Sequence, residues 1–365
     1  MVAPTSVWVV VLVVVAAGMA GVGFFAGYEY RGSPASSPSG VVSSTLSILG
    51  AGTLDSVFPE LASALVNETP GASAPAAAQT YEGSLDVTTA IASTGAKVDV
   101  AAVADLRILP QMLEPTYANY EVVFGSTPEA LVYNPSVPAF DGINASNWGT
   151  KLFAAVSTPG VAPFAVWNAS TDPNGYNEIF SMMLQGMIYS GGNISAVYSK
   201  FYSGAPGSFA TPVPSVTKIE KEGQAASLIS TGVVSSLITY RAYAVLNHLT
   251  YVPLDPIVGL ASNNTTALDD YAKLSTTIVG STGQSLTVAP APVLFAATVP
   301  LNAPNPALGA AFLHLLLSPQ GAAILGQDGA FAPLDPAWTD NPRAVPPVLA
   351  PDVVPLPAWA AALVG

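Results

Sequence analysis

The chain has 365 residues, half of them hydrophobic and only 9% charged, with 10 Lys and Arg against 23 acidic residues and a net charge of −13. So acidic a chain lacks the basic patches that nucleic acid requires, and any anion it binds must be held largely by neutral donors. There is no cysteine, which excludes disulfides, thiolate metal sites, thiol nucleophiles and a lipidated cysteine.

The length suffices for two domains. The 33 prolines and 31 glycines indicate a loop-rich, secreted type of surface. Residues 1–28 carry no charged side chain, and the run from Val7 to Tyr28 is long enough to cross a bilayer as a helix. The start, Met1-Val-Ala-Pro-Thr-Ser6, lacks the basic residues usual before a cleaved signal. Residues 1–30 are therefore expected to be an uncleaved membrane anchor, with a cleaved signal as the alternative. Either reading exports the rest, to the outer face of the membrane or as a secreted protein. Residues 31–40, rich in Gly, Ser and Pro, read as a flexible linker.

Thr45-Leu-Ser-Ile-Leu49 reads as a buried strand, followed by a turn at Gly50–Thr53 and a helix from Leu54 to Val66 that Thr53 is placed to cap. A second helical run, Leu85–Ala92, follows Ser84, again a cap candidate. Val98–Ala104 is a buried strand ending at Asp105. This alternation predicts an α/β fold with a parallel sheet, in which ligands sit beyond the carboxyl ends of the strands. Strands are also expected over 121–124, 130–133, 164–167, 233–240 and 293–299. Helices are expected from Asn147, over 222–232, over 306–317 and over 320–325. No internal repeat is present. Six N-x-Ser/Thr sequons, at Asn67, Asn144, Asn168, Asn193, Asn263 and Asn264, are candidate glycosylation sites in an exported chain.

The most informative stretch is Asn168-Ala-Ser-Thr-Asp-Pro-Asn-Gly-Tyr-Asn177, lying between the strand Phe164–Trp167 and an apolar helix running to Tyr189. Pro173 suits the first turn of that helix. A helix start offers backbone N–H groups and the positive end of a dipole, which favour an anion. Thr53 and Ser84 stand at comparable junctions, so the three turns together suggest one oxyanion cradle.

Several segments together resemble the molybdate/tungstate-binding proteins of archaeal ABC importers. They are Ala51-Gly-Thr-Leu54, Gly83-Ser84, Val98–Asp105, Pro115–Tyr120, Ile143–Trp148, Asp172-Pro-Asn-Gly-Tyr176, Glu222, Thr239-Tyr240, Pro292–Pro300 and Leu317-Ser-Pro-Gln-Gly321. Their order and spacing hold from about residue 45 to 340. The resemblance implies a two-lobed periplasmic-binding-protein fold of the second type, with lobe 1 at residues 41–127 and 291–350, lobe 2 at 128–290 and a tail at 351–365. It implies molybdate or tungstate as ligand, no cofactor, and an ABC permease and ATPase as partners. The ligand contacts it implies are Gly52, Thr53, Ser84, Asp172, Pro173, Asn174, Glu222 and Tyr240, with Asp172 and Glu222 approaching the Mo or W centre. A carboxylate beside an anion is repulsive unless a hard, high-valent centre accepts its oxygen, so this pair would reject sulfate.

The chain departs from the family pattern at Thr53, where serine is usual, at Leu85 and Asp86, where small residues are usual, and at Asn177, where arginine is usual. Asp86, one turn from the expected anion, would repel it. Another oxyanion such as sulfate or phosphate, or a small organic anion, is the alternative ligand. A surface protein that kept the fold without binding is a further alternative. An enzyme is not expected: the two histidines, His248 and His314, have no triad pattern near them, no G-x-S-x-G occurs, and nothing local supports Asp172 and Glu222 as an acid/base pair.

Overall fold

Ile48-Leu-Gly-Ala51 is buried along its whole length, as a strand covered on both faces must be. It opens the central sheet in a computed structural model that describes residues 44–208, 210–279 and 285–365, without the side chains of Ser44 and Glu222. The expected anchor (1–30) and linker (31–40) lie outside the described residues. Among the described residues, no single helix is long and apolar enough to cross a membrane.

In chain order, the strands of the two main sheets are β1 (Ile48–Ala51), β2 (Gln79–Glu82), β3 (Val100–Val103), β4 (Val122–Ser126), β5 (Glu129–Tyr133), β6 (Phe164–Trp167), β7 (Thr217–Ile219), β8 (Ser236–Tyr240), β9 (Tyr251–Pro253), β10 (Leu294–Thr298), β11 (Ala332–Thr339) and β12 (Val353–Pro355). The helices used below are α1 (Phe58–Glu68), α2 (Ser84–Thr94), α3 (Pro173–Tyr189), α4 (Arg241–Leu246) and α5 (Pro306–Leu317).

A seven-stranded sheet has the order β12-β11-β4-β10-β3-β1-β2, and a five-stranded sheet the order β7-β6-β8-β5-β9. The larger one is mixed, not purely parallel as the strand–helix alternation predicts. Strands β1, β2 and β3 are parallel, but β10 enters antiparallel between β3 and β4. The smaller sheet is also mixed, with β6, β7 and β8 parallel and β5 and β9 antiparallel to their neighbours. The last residues are structured too: β12 pairs with β11, and a short helix, Ala358–Val364, sets Trp359 edge-on to Trp338 at 5.9 Å.

Two junctions differ from the sequence reading. Helix α1 begins at Phe58, not Leu54, because Pro59 lacks an N–H and is tolerated only in a first turn. Thr53 therefore lies in a separate 3-10 turn, Gly52–Leu54, and Val57 is the N-cap of α1. Ser84 is the first residue of α2 and Gly83 its N-cap. The Ser84 hydroxyl instead accepts the backbone N–H of Ala104 at 2.9 Å, tying α2 to the end of β3.

The two sheets meet around Thr127, in the short link from β4 to β5. Its hydroxyl donates to the Ala330 carbonyl at 3.1 Å and accepts the Ala242 N–H at 3.0 Å, so one side chain holds the approach to β11 and the start of α4. The chain returns to the larger sheet beside this link, where the Val293 N–H donates to the Leu260 carbonyl at 2.9 Å. Aromatic rings run through the same region: Phe312 touches Phe58, Phe58 touches Phe124, Phe124 touches Phe295, and Phe295 meets Tyr240 of the smaller sheet edge-on at 5.5 Å. Buried aromatic pairs of this kind add about 0.5–1.5 kcal/mol each beyond the area they cover.

Candidate functional site

The carboxyl ends of β1, β2 and β3 bring together the Gly52–Leu54 turn, the start of α2 and the Ala104–Asp105 segment. Thr53 and Ser84 are each 1% exposed. Facing them is the start of α3, carried by the smaller sheet. Here Asn168 turns the chain after β6, its carbonyl accepting the N–H groups of Thr171 and Asp172. Asp172 then caps α3, its carboxylate accepting the Asn174 N–H at 2.9 Å, and Pro173 occupies the first turn.

The two sides touch through backbone. The Leu85 N–H donates to the Thr171 carbonyl at 3.0 Å. Gly83 packs so closely that a Cβ there would lie 2.2 Å from the same oxygen. Asn174 is fully buried and donates to the Thr239 hydroxyl at 3.0 Å. Asn177 donates to the Tyr240 hydroxyl at 3.4 Å. Gly52, Thr53, Ser84, Asp172, Pro173, Asn174 and Tyr240 are thus gathered around the junction of the two sheets. The backbone of Glu222 opens a 3-10 turn, Glu222–Gln224, that packs against the Gly52–Leu54 turn; its side chain lies outside the described structure.

The helix starts are less open than the sequence suggests. In α3, Pro173 has no N–H, the Asn174 N–H is taken by the Asp172 carboxylate and the Gly175 N–H by the Asp172 carbonyl. In α2, the Leu85 N–H is taken by Thr171.

The electrostatics are acidic. Burial pushes the Asp172 carboxyl up to about 6; the Asn174 N–H opposes this, and Asp86 on α2 adds to it. Burial also raises Asp55, Glu82 and Asp86, with Asp86 further raising Glu82 and Lys221 drawing it down. Arg107, a nearby cation, is engaged by Asp105 at 2.5 Å. A cavity of about 50 Å³ borders Leu85, Asp105 and Tyr176, against about 30 Å³ per molecule in liquid water. A larger groove, about 660 Å³, lies apart from this junction, against Tyr120, Leu301 and Val348.

Residues 46–330 match the family model described as bacterial extracellular solute-binding protein. The chain belongs to this family. A solute-binding protein of Petrotoga mobilis, itself uncharacterized, is 25% identical over 77% of this chain and 82% of its own length. The molybdate/tungstate-binding protein WtpA of Pyrococcus abyssi is 26% identical over 67% of this chain and 72% of its own. Among solved structures, the periplasmic molybdate-binding protein of Azotobacter vinelandii superposes with a TM-score of 0.52 at 13% identity, covering 78% of this chain and 97% of that one. That last likeness is one of fold.

Within this solute-binding frame, the sequence reading missed three residues at the junction: Asp105, Arg107 and Tyr176. The Tyr176 hydroxyl donates to Asp105 at 2.6 Å. Asp105 carried a signal, as an acidic residue closing a buried strand. Nothing local in the sequence pairs it with Tyr176.

Proposed function

We propose that the chain captures molybdate or tungstate outside the cell and passes it to an ABC permease and its ATPase. The observation that carries this reading is the meeting of three strand-to-helix turns, two from the larger sheet bearing the buried hydroxyls of Thr53 and Ser84 and one from the smaller sheet bearing the buried carboxyl of Asp172. A relative named for molybdate and tungstate, matching most of both chains, supports the choice of ligand. Thr53 and Ser84 would hold the oxygens of the anion, with Gly52, Pro173, Asn174 and Tyr240 completing the walls. Asp172 and Glu222 would approach the Mo or W centre. A lone carboxylate facing an anion is repulsive; one completing the shell of a high-valent metal is not.

In this reading the larger sheet, with its strands from 48–126 and 294–355, forms one lobe, and the smaller sheet, from 129–253, forms the other. Titration calorimetry of the exported part with tungstate, molybdate, sulfate and phosphate tests the assignment. The expected result is binding of tungstate and molybdate in preference to sulfate and phosphate. Heat with none of the four removes the oxyanion reading altogether. A second reading is another oxyanion such as sulfate or phosphate, because the chain departs from the family pattern at Thr53, Leu85, Asp86 and Asn177, beside the expected anion. Preference for sulfate in the same titration would select it.

A further inference from the structure

Tyr176 belongs to the first turn and a half of α3, on the smaller sheet, yet its hydroxyl bonds to a residue of the larger one. Asp105, directly after β3, receives that hydroxyl on Oδ2 at 2.6 Å. The same carboxylate takes Arg107 Nε at 2.9 Å and Nη2 at 2.5 Å, and the Arg107 backbone N–H at 2.9 Å. The third arm of the guanidinium, Nη1, donates to the Ala289 carbonyl at 2.7 Å, on the segment leading back into β10. The guanidinium carbon lies 6.0 Å from the centre of the Tyr176 ring. All three residues are under a tenth exposed.

Each bond in this group has a different dependence on the sheets' approach. The Asp105–Arg107 pair is two residues apart on one side of the junction and survives any separation. The Tyr176–Asp105 bond spans the junction and exists only while the two sides are together. Tyr176 also lies two residues after Asn174 and four after Asp172, so it moves with the α3 start that faces Thr53 and Ser84. Its ring is held from its own side by Phe180, edge-on at 6.4 Å.

We propose that Tyr176, closing onto the Asp105–Arg107 pair, is a clasp that holds the two lobes together and sets how long a captured solute stays, without itself touching the solute. The proposal rests on the two-lobed binding reading above. Arg107 fixes the Asp105 carboxylate in one orientation and keeps it charged, so the tyrosine meets a preformed acceptor. A binding-competent state populated only in part weakens apparent affinity by that fraction. The clasp therefore acts on affinity through the closed population.

The test uses Tyr176→Phe, which removes one hydroxyl and keeps the ring. The chain has no cysteine, so spin labels on Thr94→Cys and Ser157→Cys, both exposed positions on opposite sides of the junction, report the separation of the lobes. Loss of a hydrogen bond to a charged group predicts tungstate dissociating roughly ten- to a hundredfold faster. The ligand-free distance distribution should also shift to longer separations. Ser181→Ala is the control, because it deletes a buried hydrogen bond of α3 to the Val258 carbonyl, within the smaller sheet's side. It should lower thermal stability and leave both separation and dissociation rate alone. Unchanged separations and an unchanged dissociation rate in Tyr176→Phe overturn the clasp, as does an equal change in Ser181→Ala. If the parent binds neither tungstate nor molybdate, the ligand reading fails while the separation measurement still decides the clasp.

Discussion

Gly83 faces the carbonyl oxygen of Thr171 with no room for a Cβ, which would lie 2.2 Å from it. The backbone of Gly83 has φ −60° and ψ 140°, a conformation open to any residue, so the requirement for glycine comes from the opposite sheet alone. Gly83→Ala should therefore fold normally and resist the arrangement in which the two sides touch. Overpacking of this kind costs about 1–3 kcal/mol. The expected outcome is tungstate affinity lower by roughly five- to a hundredfold with the ligand-free thermal midpoint almost unchanged. Calorimetry and a melting curve on the same sample check it; a large loss of stability with intact affinity would contradict it.

Ser84→Ala should act on both stability and binding. The hydroxyl accepts the buried Ala104 N–H at 2.9 Å, and leaving that donor unpaired costs about 1–3 kcal/mol. A fall of several degrees in the melting midpoint is expected before any ligand is added. If the hydroxyl also holds the anion, binding weakens further, by roughly ten- to a hundredfold. Melting with and without tungstate separates the two losses.

Asp172→Asn isolates the charge from the cap, because asparagine caps a helix about as well as aspartate. Fold and stability should hold while selectivity falls: the tungstate-to-sulfate affinity ratio should drop towards one. The parent should show the same trend with acid. The Asp172 carboxyl, raised to about 6 by burial, is charged at pH 8 and mostly neutral at pH 5. Discrimination against sulfate should thus be weaker at pH 5 than at pH 8, and the Asn variant should lose that dependence. Glu222→Gln, measured beside it, reports whether the second carboxylate contributes. An unchanged ratio in that variant would assign Glu222 to the solvated surface.

Stability itself should be greatest in mild acid. Burial and the neighbouring Asp340 push Glu114 up to about 7, and burial drives Glu121 well above the usual range, with Asp340 and Glu114 adding to it. Glu121 is fully buried, and neither of its carboxyl oxygens finds a hydrogen-bond partner among the described residues. Glu178, within α3, is also raised well above the usual range by burial. An acid raised in the folded state binds more protons there than in the unfolded chain, so stability falls as pH rises from the ordinary carboxylate value through the raised one. The melting midpoint should be higher at pH 5.5 than at pH 8, and Glu121→Gln should flatten the slope. A midpoint that rises with pH over this interval would contradict the assignment.

Parts of this arrangement were legible in the residues. Strand β6 and helices α3 and α5 run over the expected spans, because Pro173 and Pro306 mark first turns and apolar runs fill the helices. Strand β11 was not legible. Its sequence, Ala332-Pro-Leu-Asp-Pro-Ala-Trp-Thr339, carries two prolines that argue against a strand, and its pairing with β4 slips between Pro333 and Trp338. The three-residue strands β7 and β9 are too short for an alternating pattern to register. At the site, Asp172 announced itself through Pro173, but the engagement of its own helix's N–H groups depends on side-chain geometry. Asp105 and Tyr176 meet only because two sheets bring them together.

The position of β10 has a consequence for how the molecule is made. It lies between β3 and β4, so the larger sheet lacks an interior strand until the late part of the chain has emerged. The smaller sheet, by contrast, has all its strands between residues 129 and 253 and can assemble earlier. Pairings this distant along the chain are slow to form, and until they do β3 and β4 each present an apolar edge to any other chain nearby. The vulnerable species during biogenesis is thus a half-built protein with its inserted sheet folded and β4 cut off from β1, β2 and β3, awaiting three late strands, of which Leu294-Phe-Ala-Ala-Thr298 joins β4 to β3.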